Sequence, residues 1–321
     1  MPEPVPREGR LLVVLSFLCI WFVWGSTFLT IRQVIVSIPP VLMCALRLLS
    51  AGLLLGAFGA LRGALWPRGI EWRNAALLGL LLPGIGNLTV TLGVAHVPSG
   101  LVALLVSTIP LWMALLGSFG REAAPPGRQA TLGLILGFVG IVLLLGPGIG
   151  GGNVAPVNPL WALVPVLGSL SWAWGSLWSR RAAMPASGLM STAIGLTAAG
   201  LSQLVFAAVA GDFGRWNVAA TPWHVWAGFG YLIVFGSVFG FGSYMYLLRR
   251  VTPAVVATYA FVNPVVAMAL GWALGGESLT PRTLAAAAVV LAAVVLITTA
   301  RPATRGAGAA ASVGAVPARR Y

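Results

Sequence analysis

Lysine is absent from this 321-residue chain, and acids number only six. Charged residues of every kind make up 8%, where a soluble domain carries about 25%. So little charge could not cover the surface of a soluble fold, which excludes a soluble enzyme. With 59% apolar residues and a mean hydropathy of +0.95, a disordered chain is excluded too. Cysteine is also scarce. Cys19 and Cys44 lie in apolar runs without a CxxC pair or a Cys/His cluster, so neither a disulfide scaffold nor a zinc site is indicated. No metal and no cofactor are expected. Glycine (41) and proline (22) are plentiful but follow no triplet period, which excludes collagen. The glycine-rich Gly146-Pro-Gly-Ile-Gly-Gly-Gly152 lacks the Lys-Ser/Thr ending of a phosphate loop and reads as a linker.

What is present is a series of apolar runs. About 20 apolar residues span a bilayer as a helix. Ten runs meet that length approximately: 11–31, 41–61, 74–94, 98–119, 130–146, 159–179, 188–209, 223–247, 253–275 and 282–300. The first follows Arg7 and Arg10, as a signal peptide would, but it is too long and lacks an Ala-x-Ala end, so it reads as a retained helix. The expected fold is an all-α polytopic membrane protein with ten transmembrane helices.

The formal net charge of +13 comes from 19 arginines. With a cytoplasmic N-terminus, 15 of them fall on the inner side, only Arg32, Arg215 and Arg282 fall outside, and Arg47 alone lies within a span. That asymmetry is the positive-inside pattern. It accounts for the basicity without nucleic acid and places both termini in the cytoplasm. The tail 301–321 reads as disordered, near anionic lipid.

The chain also repeats itself. Pro98 and Pro253, Glu122 and Glu277, and Pro126 and Pro281 are each 155 residues apart; Pro110 and Pro264 are 154 apart; Trp24-Gly25-Ser26 recurs as Trp174-Gly175-Ser176. Five ordered matches indicate a duplication. Five spans is an odd number, so the second half enters the membrane from the opposite side. Two inverted five-helix repeats are a hallmark of secondary transporters, with the site near the midplane. The expected organisation is a cytoplasmic N-terminus 1–10, a first repeat 11–146, a linker 147–158, a second repeat 159–300 and the tail 301–321.

Trp24-Gly-Ser-Thr-Phe-Leu-Thr-Ile-Arg32, Ile38-Pro-Pro with Leu46-Arg47, and Val97-Pro-Ser-Gly100 occur in the first half. Tyr244-Met-Tyr-Leu-Leu, Ala257-Thr-Tyr-Ala-Phe-Val-Asn-Pro264 and Leu274-Gly-Gly-Glu277 occur in the second. Together they resemble the drug/metabolite transporter superfamily, with two EamA-type repeats, over about residues 11–300. The resemblance is strongest to its YedA-like branch. It implies a multi-pass protein of the bacterial inner membrane that exports small metabolites, such as amino acids, or drugs. Relatives often carry a Glu shortly before the Val-Pro-Ser-Gly turn; here Thr91-Leu-Gly-Val-Ala-His96 has none.

Candidate site residues follow from polarity and helix breaks at depth. Pro83-Gly84-Ile85-Gly86-Asn87 interrupts the third span, leaving Asn87 as a polar contact. Pro110 and Pro264 interrupt the fourth and ninth spans, beside Ser107, Thr108 and Asn263. Trp24, Trp112, Trp172 and Trp174 lie near mid-membrane, where tryptophan is unusual; Trp24 and Trp174 lead because they recur, and Tyr259 is similar. Simple packing is the competing reading for each. Arg47 either holds a substrate carboxylate or serves structure, by snorkelling outward or by capping a broken helix. Pro83, Pro110 and Pro264 are the expected helix breaks and gates. Catalytic residues are not expected, because an intramembrane hydrolase would need a nucleophile paired with a base at depth. The expected partners are a small-molecule substrate and the lipid bilayer, with monomer and homodimer both open. A non-transporting membrane scaffold is the alternative of another class; import, facilitation and drug export are alternatives within the fold.

Overall fold

The computed structural model describes residues 7–119, 127–145, 158–251, 253–256 and 259–300. Most of 1–10, most of the linker 147–158, Glu122, Pro126 and the tail 301–321 lie outside them. Among the described residues every apolar run carries helix and no strand occurs. The long helices are α1 (Arg10–Val34), α2 (Pro40–Leu61), α3 (Ile70–His96), α4 (Ser99–Gly117), α5 (Arg128–Leu145), α6 (Pro159–Ser179), α7 (Gly188–Val209), α8 (Trp223–Arg250), α9 (Tyr259–Gly275) and α10 (Pro281–Thr299). Among the described residues eight of these, α1, α2, α3, α4, α6, α7, α8 and α10, are long and apolar enough to cross a membrane. A shorter apolar stretch, Val262–Gly275, lies in α9.

Helix starts follow local chemistry. Pro40, Pro159 and Pro281 stand in the first turns, where a missing N–H costs nothing. Asn158 and Thr280 cap α6 and α10 by accepting from Leu160 N and Thr283 N. Asp212 does the same for α2 from a distance, accepting from Leu42 N at 3.2 Å.

Small residues bring the helices together, as expected where lipid removes the hydrophobic drive between them. Gly52 of α2 meets Thr197, Gly59 meets Met190, and Gly200 of α7 meets the backbone of Leu49, so α2 and α7 run antiparallel. Gly133 of α5 packs on Ala293 and Ile297, and Gly140 on Val290, which makes α5 and α10 antiparallel too. Large apolar side chains such as Leu53, Phe58, Leu132, Val205 and Phe206 face outward.

Three π-helical segments interrupt the bundle: Cys19–Val23 in α1, Leu80–Asn87 in α3 and Leu232–Phe239 in α8. A π turn leaves carbonyls without their usual i+4 donor. In each segment a side chain from the other half of the chain supplies a replacement. Gln203 of α7 donates to Gly84 O at 2.7 Å and Pro83 O at 3.4 Å, and Ser171 of α6 donates to Leu81 O at 2.9 Å. Trp24 of α1 donates its indole N–H to Gly236 O at 3.0 Å. With its amide nitrogen turned inward, Asn263 of α9 donates to Ile20 O and Trp21 O, both at 2.9 Å.

The expected proline breaks take three different forms. Pro83 sits inside the π segment of α3. Pro110 follows a turn at Ser107-Thr108 that divides α4 into Ser99–Val106 and Ile109–Gly117. Pro264 lies within α9 and does not break it.

Candidate substrate site

A cavity lies between the halves, among α1, α2, α3, α4, α6, α8 and α9. Its volume is about 60 Å³. Trp24, Thr27 and Phe28 come from α1, and Arg47 from α2. The π segment of α3 contributes Gly86 and Asn87; α6 contributes Ser169 and Trp172; α8 contributes Phe241; α9 contributes Tyr259 and Asn263.

One wall is aromatic. The Trp24 ring lies 5.7 Å from Trp172, edge on at 89°, 5.5 Å from Phe241 and 5.4 Å from Tyr259 at 87°. Tyr244 lies behind them, 5.4 Å from both tryptophans. Its hydroxyl accepts from Trp172 Nε1 at 3.0 Å and pairs with Ser176 Oγ. Edge-to-face rings and a satisfied hydroxyl hold this wall in one arrangement. Its position also depends on glycine. The Trp24 indole occupies the space a Cβ on Gly240 would need, and a Cβ on Gly236 would lie 2.9 Å from the Arg47 Nη2.

The other wall is polar. Arg47 is 2% exposed. Its Nε donates to Ser237 Oγ at 2.8 Å, and that hydroxyl donates onward to Leu232 O at 3.1 Å in the π segment of α8. Nη1 is buried without a partner, and among the described residues no carboxylate pairs with Arg47. The outward snorkelling considered for Arg47 is therefore corrected: the side chain turns into the bundle, where Ser237 and Gly236 receive it. Two further buried polar atoms on this cavity lack partners, Asn87 Nδ2 and Tyr259 Oη.

Of the expected site residues, Trp24, Asn87, Tyr259, Asn263 and Arg47 meet at the cavity. Trp174 does not. It is 61% exposed, and Trp172 takes the inward position. Two residues along a helix is about 200° of rotation, so aligning Trp174 with Trp24 chose the opposite face. Ser107 and Thr108 are buried, but their hydroxyls donate to Leu104 O and Leu105 O in their own helix, at 2.6 and 2.7 Å. They fasten the turn before Pro110. Trp112 packs edge on against Phe138 at 5.7 Å, away from the cavity. Pro83, Pro110 and Pro264 are buried near it without lining it.

At one end of the bundle Glu277 ties the halves together. Its Oε1 accepts from Ser99 N at 2.8 Å, Ser99 Oγ at 2.7 Å and Arg32 Nη1 at 2.5 Å; its Oε2 accepts from Gly100 N at 3.1 Å. Burial would raise this carboxyl, but the Ser99 and Gly100 hydrogen bonds and the Arg32 charge outweigh it and hold the group below the usual carboxylate range. The first N–H groups of α4 lack helical partners, so a carboxylate there both caps the helix and meets its positive end.

The family model described as "EamA-like transporter family" matches residues 11–146 and 159–299. The chain belongs to that EamA-like family. It is a membrane protein with transmembrane helices, and both matched stretches contribute to the cavity. It is 40% identical over 288 residues to "Uncharacterized inner membrane transporter YedA" of Escherichia coli strain K12, covering 88% of this chain and 89% of that protein. "Protein PecM" of Dickeya dadantii is 27% identical over 277 residues, covering 86% and 88%. One solved crystal structure aligns with a TM-score of 0.60 at 17% identity, over 88% of this chain and 95% of the other, which is a likeness of fold alone.

Several EamA site residues escape sequence reasoning. Gln203 and Ser237 are single polar residues in apolar runs, and nothing local marks which carbonyl each will meet. Phe241 sits among glycines at Gly240 and Gly242; that pattern signals close approach without naming the ring that approaches.

Proposed function

We propose that this EamA-family chain is a secondary transporter of small organic metabolites, working by alternating access in a bacterial inner membrane. In this reading ten spans form two inverted repeats, both termini are cytoplasmic, and net flux is export. The observation that carries it is the cavity, which lies between the two family-matched halves and takes residues from both.

The helix pairing supports the inversion. If the second half is the first turned over, corresponding helices that meet at the shared axis must run antiparallel. The second helices of each half, α2 and α7, meet in this way, as do the fifth, α5 and α10. The third helix of each half, α3 and α8, carries a π segment of eight residues. Similar halves of opposite orientation exchange conformations, and that exchange moves the opening from one face to the other. π segments provide the bending points, because their hydrogen bonds reach across to the partner half.

The test is reconstitution into liposomes with labelled amino acids, sugars and small aromatic acids and amides. Saturable counterflow of any one supports the reading; none across the panel, with folded protein, refutes it. Protein oriented by protease treatment of one face then decides export against import. Cysteine labelling that places residue 300 outside would overturn the topology.

A further inference from the structure

We propose that the cavity binds a carboxylate, held by the free side of the Arg47 guanidinium with Asn87 and Tyr259 as accessory donors. The proposal rests on reading the cavity as the substrate site, and it names what that site takes.

Arg47 carries an unbalanced charge. A guanidinium at depth is costly and normally has a counter-charge or a wet surface. Arg47 has neither: it is 2% exposed, and its one hydrogen bond, from Nε to Ser237 Oγ, uses a single edge of the fork. Nη1 is left without an acceptor. Buried unpaired polar atoms are rare. Here Nη1, Asn87 Nδ2 and Tyr259 Oη are found on residues lining the same cavity, and each can donate. These three residues bring idle donors and no acid to the cavity, and small side-chain rotations would turn the donors, closed to solvent in this structure, onto an acceptor.

The type of anion follows from count and shape. A single fixed positive charge neutralises a monoanion, and a planar fork fits a planar carboxylate. Inorganic phosphate, near two negative charges, would remain undercompensated. The opposite wall, of Trp24, Trp172 and Phe241, has no formal charge and offers ring faces to an apolar body. A cavity of about 60 Å³ that opens on one side suits a small organic acid with an apolar body, for which benzoate is the probe.

The experiment uses the purified full chain in nanodiscs at pH 7.5 and reads thermal stability and tryptophan fluorescence against benzoate, acetate, benzamide, chloride and phosphate. Expected is saturable binding of benzoate at least tenfold tighter than benzamide, with weaker acetate binding and no effect of chloride or phosphate at equal ionic strength. Arg47→Gln should bind acid and amide alike. Tyr259→Phe should weaken benzoate several-fold and leave benzamide unchanged. Equal binding of benzoate and benzamide by the wild type, no binding of either acid, or an acid preference surviving Arg47→Gln would overturn the proposal. If Arg47→Gln does not fold, Tyr259→Phe decides alone: unchanged benzoate affinity overturns it. Counterflow separates this from the transport reading. Acid binding with no probe transported refutes transport and keeps the site; transport of a neutral probe without acid binding refutes the site and keeps transport.

Discussion

At the scale of single residues, several polar side chains in the bundle are explained by the backbone group they serve. Asn263 serves two. Its amide nitrogen is the donor for Ile20 O and Trp21 O, where α1 widens into a π turn. An unsatisfied buried carbonyl costs about 1–3 kcal/mol. Asn263→Ala should therefore lower the melting temperature in detergent by several degrees and reduce transport as a consequence. Asn263→Asp at neutral pH should do at least as much harm, because a carboxylate cannot donate. An unchanged melting temperature in Asn263→Ala would show that water replaces the amide. A second contrast lies at Trp172 and Trp174. Trp172 is packed by Trp24, Tyr244 and Phe241 and donates to the Tyr244 hydroxyl, whereas Trp174 is 61% exposed. Trp172→Ala should reduce transport at least tenfold. Trp174→Ala should leave transport unchanged and stability within about 0.5 kcal/mol, as surface substitutions do. The reverse ranking would favour the face chosen by the repeated Trp-Gly-Ser.

At the scale of elements, the π segments and the Glu277 tie divide the work: one set joins the halves through hydrogen bonds to widened turns, the other ties them at one end of the bundle. The tie is testable by pH. Because the folded state holds the Glu277 carboxyl low, its contribution is fully present above the unfolded value, about 4.3, and is lost as pH falls through the depressed folded value. The stability gap between wild type and Glu277→Gln should be constant near neutrality and shrink below about pH 4.3. A gap that stays flat to pH 3 would mean that the charge on Glu277 is immaterial. Much at this scale is legible in the sequence. Ten apolar runs predict where helix will form, because a chain in lipid must satisfy its backbone internally. Pro83 with Gly84 and Gly86 marks the interruption in α3. The other two π segments carry no proline, so nothing in Cys19–Val23 or Leu232–Phe239 announces them; Asn263 and Trp24 reach their carbonyls from the other half of the chain. Arg47 is legible as exceptional, but the distance from Pro40 predicts only that it could reach the outer surface. Which way it turns is decided by Gly236 and Ser237, 190 residues later.

For the whole molecule, the placement of the acids bears on how transport is driven. Glu3 and Glu8 precede the long apolar runs in the sequence, and among the described residues Glu71, Asp212 and Glu277 fall in loops or at helix ends. Of these, Asp212 caps α2 and pairs with Arg215, and Glu277 caps α4 and pairs with Arg32. Both are committed to backbone groups. A proton exchanger needs a buried carboxylate that alternates between proton and substrate, with its pKa raised toward the working pH. Glu277 is shifted the opposite way, and no acid lines the cavity among the described residues. His96 stands exposed at a helix end, stacked on Trp161, so it does not replace the missing acid. The charge at the cavity is that of Arg47, which stays protonated across the physiological range. Transport should accordingly follow the substrate gradient. Counterflow rates in liposomes should change less than twofold when a pH difference of about one unit is imposed, and no accumulation should build up when substrate starts equal on both sides. With a carboxylate as substrate, free acid crossing the bilayer unaided would mimic proton coupling, so the comparison is made against protein-free liposomes and against Arg47→Gln. Accumulation driven by the pH difference, absent from both controls and surviving in Glu277→Gln, would show that a proton path exists that does not run through a carboxylate at the cavity or at the Glu277 tie.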